Sequence, residues 1–426
     1  MSILNLPHAF DLVVGDTFEM FYRGILKCVD PSVYDLEFTW QSGAQSGAAY
    51  RRKFVFTPTE EDVGTRALLV TLRDNAGAIL EQKTVDMRVW SKPQSPKDER
   101  VVLCMGASTT GPGIWPSELY RRLTGEGGAP EGHGLTNIRM IGSVERRGVR
   151  YEGYGGWHFK AYSTAHSDAR FIYIYGDFSD KDEVGDQHSF YSDDIGGTWK
   201  LESIQPDRIK LIRTAWGGTI PPAPGVLHHE SGGTNHADIV YNEAGRAEAN
   251  PFWDVSLEKN NFRAYAEKMG VDHIDEVLIY LGGNSTNSTE YMYKQQVRTF
   301  LDTLFDAFPD CRVTLAGMNV PGRDGMGHNY GIGWKWHEKL NFVFNLAKWY
   351  MDISQEPAYR GRVEFMNLSA QFDTENMLPT QELPVNVRST KTETVNTNAL
   401  HPTENGYFQI ADAFYRRMVS HLQGEE

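Results

Sequence analysis

Along the first ninety positions, apolar residues recur at every second place. Leu12-Val13-Val14, Thr17 to Tyr22, Lys53 to Phe56, Leu68 to Leu72 and Thr84 to Val89 are segments of this kind. Turn formers separate them at Gly15-Asp16, Glu61 to Gly64 and Asp74 to Gly77. Alternation of period two turns one face of a segment toward a core and leaves the other polar, so these segments are predicted to be strands. Short strands at this spacing predict a small, all-β, immunoglobulin-like sandwich over residues 1–92. Ser91 to Lys97 then places two prolines among polar residues and reads as a linker, because proline cannot donate to a backbone ladder.

From residue 98 the period changes. Apolar runs at Val101 to Met105, Asn137 to Ser143, Val277 to Leu281, Arg312 to Ala316 and Val363 to Met366 are predicted strands. Between and after them, Pro116 to Leu123, Phe262 to Met269, Tyr291 to Phe308, Trp336 to Met351 and Tyr407 to His421 carry helical spacing. A strand that is apolar throughout must be covered on both faces, which predicts an α/β domain over 98–426 with a parallel sheet between helices. Residues from about 165 to 250 interrupt the alternation. Arg170 to Tyr175 and Leu211 to Arg213 lie there among many Gly, Pro and His, and a β-rich insertion forming one wall of a cleft is expected.

Composition narrows the class of function. A chain of 426 residues, 40% hydrophobic, has ample material for a large core. Its net charge of −14 argues against binding nucleic acid or an anionic membrane surface. Ten Trp and twenty Tyr supply much of a core, and aromatic side chains also offer surfaces on which sugars stack. Cys28, Cys104 and Cys311 are odd in number and far apart, so neither a disulfide framework nor a structural zinc site is expected, and Cys104 reads as a small core hydrophobe. No stretch reaches transmembrane length. Met1 to Pro7 has neither the basic nor the apolar region of a secretion signal, which leaves a cytoplasmic protein or an exported one whose signal has been removed. The sequence leaves the oligomeric state open.

Four fragments carry candidate chemistry. Gly106-Ala107-Ser108 follows the first apolar strand, and ligands of open parallel sheets bind beyond the carboxyl ends of strands. Ser108 there is either a nucleophile or a helix-capping serine. Gly282-Gly283-Asn284 follows a second apolar strand and offers a side-chain amide for an oxyanion, or simple turn chemistry. His401, fixed by Pro402 before the last helix, is placed as a general base or as a packed loop histidine. Tyr151 to Trp157 is Gly-rich, with Gly155 and Gly156, and exposes backbone N–H groups suited to an anion, or is merely a loop.

All four, in this order and at one edge of an α/β sheet, resemble the SGNH hydrolases, or GDSL-type esterases. The likeness covers roughly residues 98–165 and 255–422. It implies a flavodoxin-like three-layer fold and metal-free, cofactor-free hydrolysis of O-acyl esters. It also implies Ser108 as nucleophile, the Ser108 and Gly156 N–H groups and Asn284 as the oxyanion hole, and His401 as base. Two positions depart from the family pattern. Ala107 stands where the first block usually has Asp, which is not the nucleophile. Asn398 stands three residues before His401, where the last block usually has Asp. An Asn carbonyl is expected to accept from His401 Nδ1 and orient the ring, without steadying the imidazolium by charge. Glu393 and Glu404 are nearby acids in sequence.

Ser192 to Trp199 fits the Asp-box pattern, which resembles hairpin turns of sialidases; one copy makes a rigid hairpin and no propeller. His228, His229 and His236 lack matching ligand spacing and read as surface histidines, so no metal site is expected. The sequence therefore predicts a serine esterase for O-acyl groups, most simply O-acetyl groups on a carbohydrate. Trp157, Trp216, Trp253, Trp334 and Trp336 are candidates for a sugar-facing wall. The rivals are a lipase or thioesterase, and a carbohydrate-binding protein that keeps the hydrolase fold without catalysis.

Overall fold

The computed structural model describes the chain apart from residues 1, 42–45, 176–188, 192–197, 206–207, 214–224, 230–238, 242–245, 287, 324–334 and 424–426. It divides into two compact units, residues 1–159 with 262–426, and residues 160–261.

The first unit is built on a parallel sheet. Strand Arg100–Gly106 is its centre, with Glu276–Tyr280, Arg312–Ala316 and Val363–Met366 following on one side. On the other side Ile138–Ile141 pairs with its first half and Val149–Gly153 with its last residues, all in parallel. Strand Val144–Arg146 closes that edge antiparallel to Val149–Gly153. Both central strands are buried along almost their whole length, as apolar runs require. Helices Ile114–Thr124 and Glu404–Gln423 pack together, Trp115 stacking on Phe414 at 4.5 Å. Helices Phe262–Lys268 and Trp336–Ser354 both pack on Glu290–Ala307. The predicted helices and apolar strands are thus present, with no end shifted by more than three residues.

Sequence reading missed strand Val149–Gly153. Its Tyr151 to Gly153 was expected to lie in a loop, because Glu152 breaks the apolar run. Glu152 is fully buried, and its carboxylate accepts from Ser143 N at 2.6 Å, Tyr154 Oη at 2.5 Å and Tyr265 Oη at 2.7 Å. Three donors offset part of the cost of burial, which still pushes the Glu152 carboxyl above its ordinary pKa. Only the residues from Tyr154 onward form the loop.

Residues 1–90 form a four-stranded sheet, ordered Ala9–Val13, Ile79–Trp90, Gly64–Arg73, Asp35–Trp40, and a three-stranded sheet of Phe18–Phe21, Lys53–Phe56 and Ala48–Ala49. One apolar core joins the two and includes Ala370 from the α/β part. Buried charge also links the parts. Asp16, in the turn after the first strand, pairs with Arg122 and with Arg416, each at 2.8 Å. Asp11 pairs with Arg417 at 2.9 Å. The linker has no regular structure, yet Gln423 donates to the carbonyls of Ser91 and Lys92 at 2.7 and 3.2 Å.

The second unit is β-rich. Its seven-stranded antiparallel sheet runs from Ile239–Tyr241 through Gly225–His229, Ser189–Tyr191, Thr198–Gln205, Arg208–Arg213 and Ser167–Tyr175 to Arg246–Ala249. Tyr191 pairs with Thr198 across the Asp box, whose residues 192–197 lie outside the described ones. His236 also lies outside them. Among the described residues no group of three His, Cys, Asp or Glu is placed to hold a metal, and no helix is long and apolar enough to cross a membrane. Cys28, Cys104 and Cys311 are free thiols.

Candidate active site

Numbered by position in the chain, the parallel strands run 2-1-3-4-5, with Ile138–Ile141 and Val149–Gly153 sharing place 2. The order reverses between Arg100–Gly106 and Glu276–Tyr280, and a crevice for ligands opens at such a reversal. Gly106 pairs with Tyr280 in register, so Ser108 and Gly282 emerge side by side.

Gly106 lets the chain turn there. A Cβ on it would lie 2.0 Å from Thr110 Oγ1 and 2.5 Å from the Tyr280 carbonyl oxygen. The Ala107 carbonyl then accepts from Thr110 and Gly111 N–H, both at 2.9 Å. The helix begins only at Ile114, with Gly113 at its N-cap. Ser108 therefore caps nothing; its Oγ lies 2.8 Å from His401 Nε2.

Gly282 adopts φ +119°, and a Cβ there would meet Leu346 Cδ2 and Tyr293 Oη at 2.7 Å. Only glycine satisfies both conditions. The Gly282 carbonyl accepts from Ser285 N–H at 2.9 Å, closing a turn that presents Asn284. One amide hydrogen of Asn284 goes to the Trp157 carbonyl at 2.9 Å. Trp157 N–H in turn donates to Tyr154 O at 3.3 Å across a turn with Gly156 at φ +81°. The Gly156 loop and Asn284 are thereby tied to each other, over a sequence distance no local signal spans.

His401 is half-buried, and that burial lowers its pKa below the ordinary 6.5. The expected role of the Asn398 carbonyl is corrected by its hydrogen bonds. Asn398 Oδ1 accepts from Leu400 N at 3.0 Å and His401 N at 2.9 Å, a local turn that Asn favours. Its Nδ2 faces His401 Nδ1 at a long 3.4 Å. An amide NH2 only donates, so this contact suits the tautomer with Nδ1 bare and the proton on Nε2. Glu404 pairs with Arg147 at 2.9 Å, and Glu393 lies exposed on strand Thr392–Asn396.

One member of the expected tryptophan wall, Trp157, is corrected. Trp157 is 1% exposed and packs against Tyr154 with centroids 4.3 Å apart, so it is core. Trp253 belongs to the second unit and is half-buried. Trp336 begins a helix, donates to Pro321 O at 2.9 Å and lies beneath Arg23 and Arg323. Trp216 and Trp334 lie outside the described residues.

Ser108, His401 and Asn284 line one cavity of about 190 Å³. Ala107, Leu281, Met318, Val343 and Leu400 make much of its wall apolar. Lys339 lines it too, and sequence reading passed over it as one polar position of a helix. It is 5% exposed, burial draws its pKa down from 10.5 to about 8, and its ammonium donates to the Gly283 carbonyl. A buried charge on the apolar face of the helical pattern is the signal that could have found it.

No family model matches this chain, and no curated protein matches it. Among solved structures it is similar to a family 3 carbohydrate esterase of Clostridium thermocellum, at 15% identity and TM-score 0.38, over 77% of this chain and 99% of that one. A carbohydrate esterase family 3 enzyme from Talaromyces cellulolyticus matches at 11% identity and TM-score 0.35, over 76% and 99%. A carbohydrate acetylesterase from Sinorhizobium meliloti matches at 10% identity and TM-score 0.34, over 76% and 100%.

Proposed function

We propose that this protein is a serine hydrolase of O-acyl esters with a flavodoxin-like α/β core. The observation that carries the reading is the 2.8 Å contact of Ser108 Oγ with His401 Nε2 at the reversal of strand order. His401, in the tautomer with its proton on Nδ1 and Nε2 bare, takes the Ser108 proton as Oγ attacks the ester carbonyl. The oxyanion that forms accepts from the second amide hydrogen of Asn284 and from the Ser108 and Gly156 N–H groups. Collapse expels the alcohol, protonated by His401, and leaves an acyl-Ser108 ester. Water, deprotonated by His401, attacks that ester and releases the acid.

The small apolar cavity supports a short acyl group such as acetyl over a lipase substrate, which needs a long channel. A carbohydrate as the alcohol rests on the family likeness. The test is turnover of p-nitrophenyl esters of increasing chain length, then of acetylated sugars. Acetate esters are expected to be cleaved fastest; preference for long chains would favour the lipase reading, and no turnover would favour a non-catalytic binding protein.

Two predictions arise here. The base works only when neutral, and burial favours its neutral form. kcat/KM is therefore expected to rise with pH through an apparent pKa below 6.5 and to level off above it. A pH–rate profile on p-nitrophenyl acetate checks this, and a limb above 7 counts against His401 as base. Asn398→Asp is expected to raise kcat by on the order of 10- to 100-fold, since an Asp-to-Asn change at the corresponding role in a serine protease costs about 10⁴ through the wrong tautomer. A carboxylate keeps an acceptor for the Leu400 and His401 N–H groups, and turns a second oxygen toward Nδ1. Because it stabilises the imidazolium, it also moves the acid limb upward.

A further inference from the structure

Two side chains of helix Trp336–Ser354 hold the turn that presents Asn284. Tyr350 Oη donates to the Leu281 carbonyl at 2.8 Å, and the Lys339 ammonium donates to the Gly283 carbonyl. They stand eleven residues apart, about three helical turns, so they share one face. The neighbours of Lys339 on this helix include buried Leu340, Val343 and Leu346, so an apolar side chain would suit position 339. Burying an ammonium instead is costly unless its hydrogen bonds are well made. The Gly283 carbonyl belongs to the peptide that joins Gly283 to Asn284. Holding its oxygen fixes the plane from which the Asn284 side chain starts. Gly282 and Gly283 have no side chains of their own to lock that plane. A bare carbonyl on the wall of this cavity would also set a negative dipole beside a developing oxyanion.

We infer that Lys339 is a positioning residue for catalysis: its ammonium anchors the Gly283–Asn284 peptide and so aims the Asn284 amide at the oxyanion. This rests on the esterase reading above. The test is a double-mutant cycle in the full chain, with p-nitrophenyl acetate. Lys339→Met keeps the stem and removes the donor. It is expected to lower kcat roughly 10- to 100-fold, at or below the roughly 10²–10³-fold cost of losing an oxyanion donor outright, while KM changes less than about threefold. Combined with Asn284→Ala, it is expected to add almost nothing to the loss from Asn284→Ala alone, because Lys339 acts through that amide. Lys339→Gln, an uncharged donor one atom shorter, is expected to recover part of kcat; it carries the same cycle if the Met variant does not fold, as judged by thermal melting. Losses that multiply across the cycle, or a Lys339→Met enzyme with full kcat, overturn the inference. Activity of the wild type that Ser108→Ala abolishes is measured first, so failure of the esterase reading is seen separately.

Discussion

Ser108→Ala is expected to lower kcat toward p-nitrophenyl acetate by on the order of 10⁴–10⁵, with His401→Ala costing about as much and the double variant no worse than either. The reason is that the two side chains act as one unit. At 2.8 Å, His401 Nε2 is in position to take the Oγ proton, and neither group has a function in the attack without the other. KM is expected to stay within a few-fold, because a serine hydroxyl contributes little to holding the acyl group in an apolar cavity. What activity remains is that of the oxyanion donors alone. Single-turnover and steady-state rates on purified variants check this. Equal turnover by wild type and Ser108→Ala would end the hydrolase reading.

The largest expected effect on stability lies far from this site. Arg122 is 1% exposed; its guanidinium pairs with Asp16 at 2.8 Å and with Asp412, and stacks on Tyr415 with its carbon 3.9 Å from the ring centroid. Burial pushes the Asp412 carboxyl above its ordinary range. Removing Arg122 leaves two half-buried carboxylates near each other with less cationic charge, so Arg122→Met is expected to cost about 3 kcal/mol. The Asp16 partner makes the loss reach residues 1–90, whose packing on helix Glu404–Gln423 this cluster supports. Urea unfolding followed by fluorescence reads the shift. The triple change Arg122→Met, Asp16→Asn, Asp412→Asn is expected to recover much of it, since neutral amides have no charge to strand. A single variant as stable as wild type would mean that solvent already relieves the pair.

Much of the α/β scaffold could be read directly from hydrophobic period. Val101 to Met105 and Val277 to Leu281 are apolar throughout, and such runs have nowhere to go but the middle of a covered sheet. Glycines at 106 and 282 mark tight turns after those strands for reasons of bulk that hold in any context. Strand Val149–Gly153 was hidden because Glu152 looks like a surface residue until Tyr154, Tyr265 and Ser143 surround it. Trp157 looked like a sugar platform because composition does not tell a core indole from an exposed one.

The sequence by itself determined which residue types follow the two apolar strands and precede the last helix: a serine two residues after Gly106, an asparagine beside Gly283 and a histidine beside Pro402. Backbone sterics and side-chain period act over a few residues, so these placements survive without knowledge of the whole. Only the tertiary structure decided how they meet. It set Ser108 against His401 across 293 positions, tied the Asn284 amide to the Trp157 carbonyl, and brought Lys339 onto the carbonyl before Asn284. Hydrogen-bond direction and the burial of charge depend on groups from distant parts of the chain, and no local pattern encodes them.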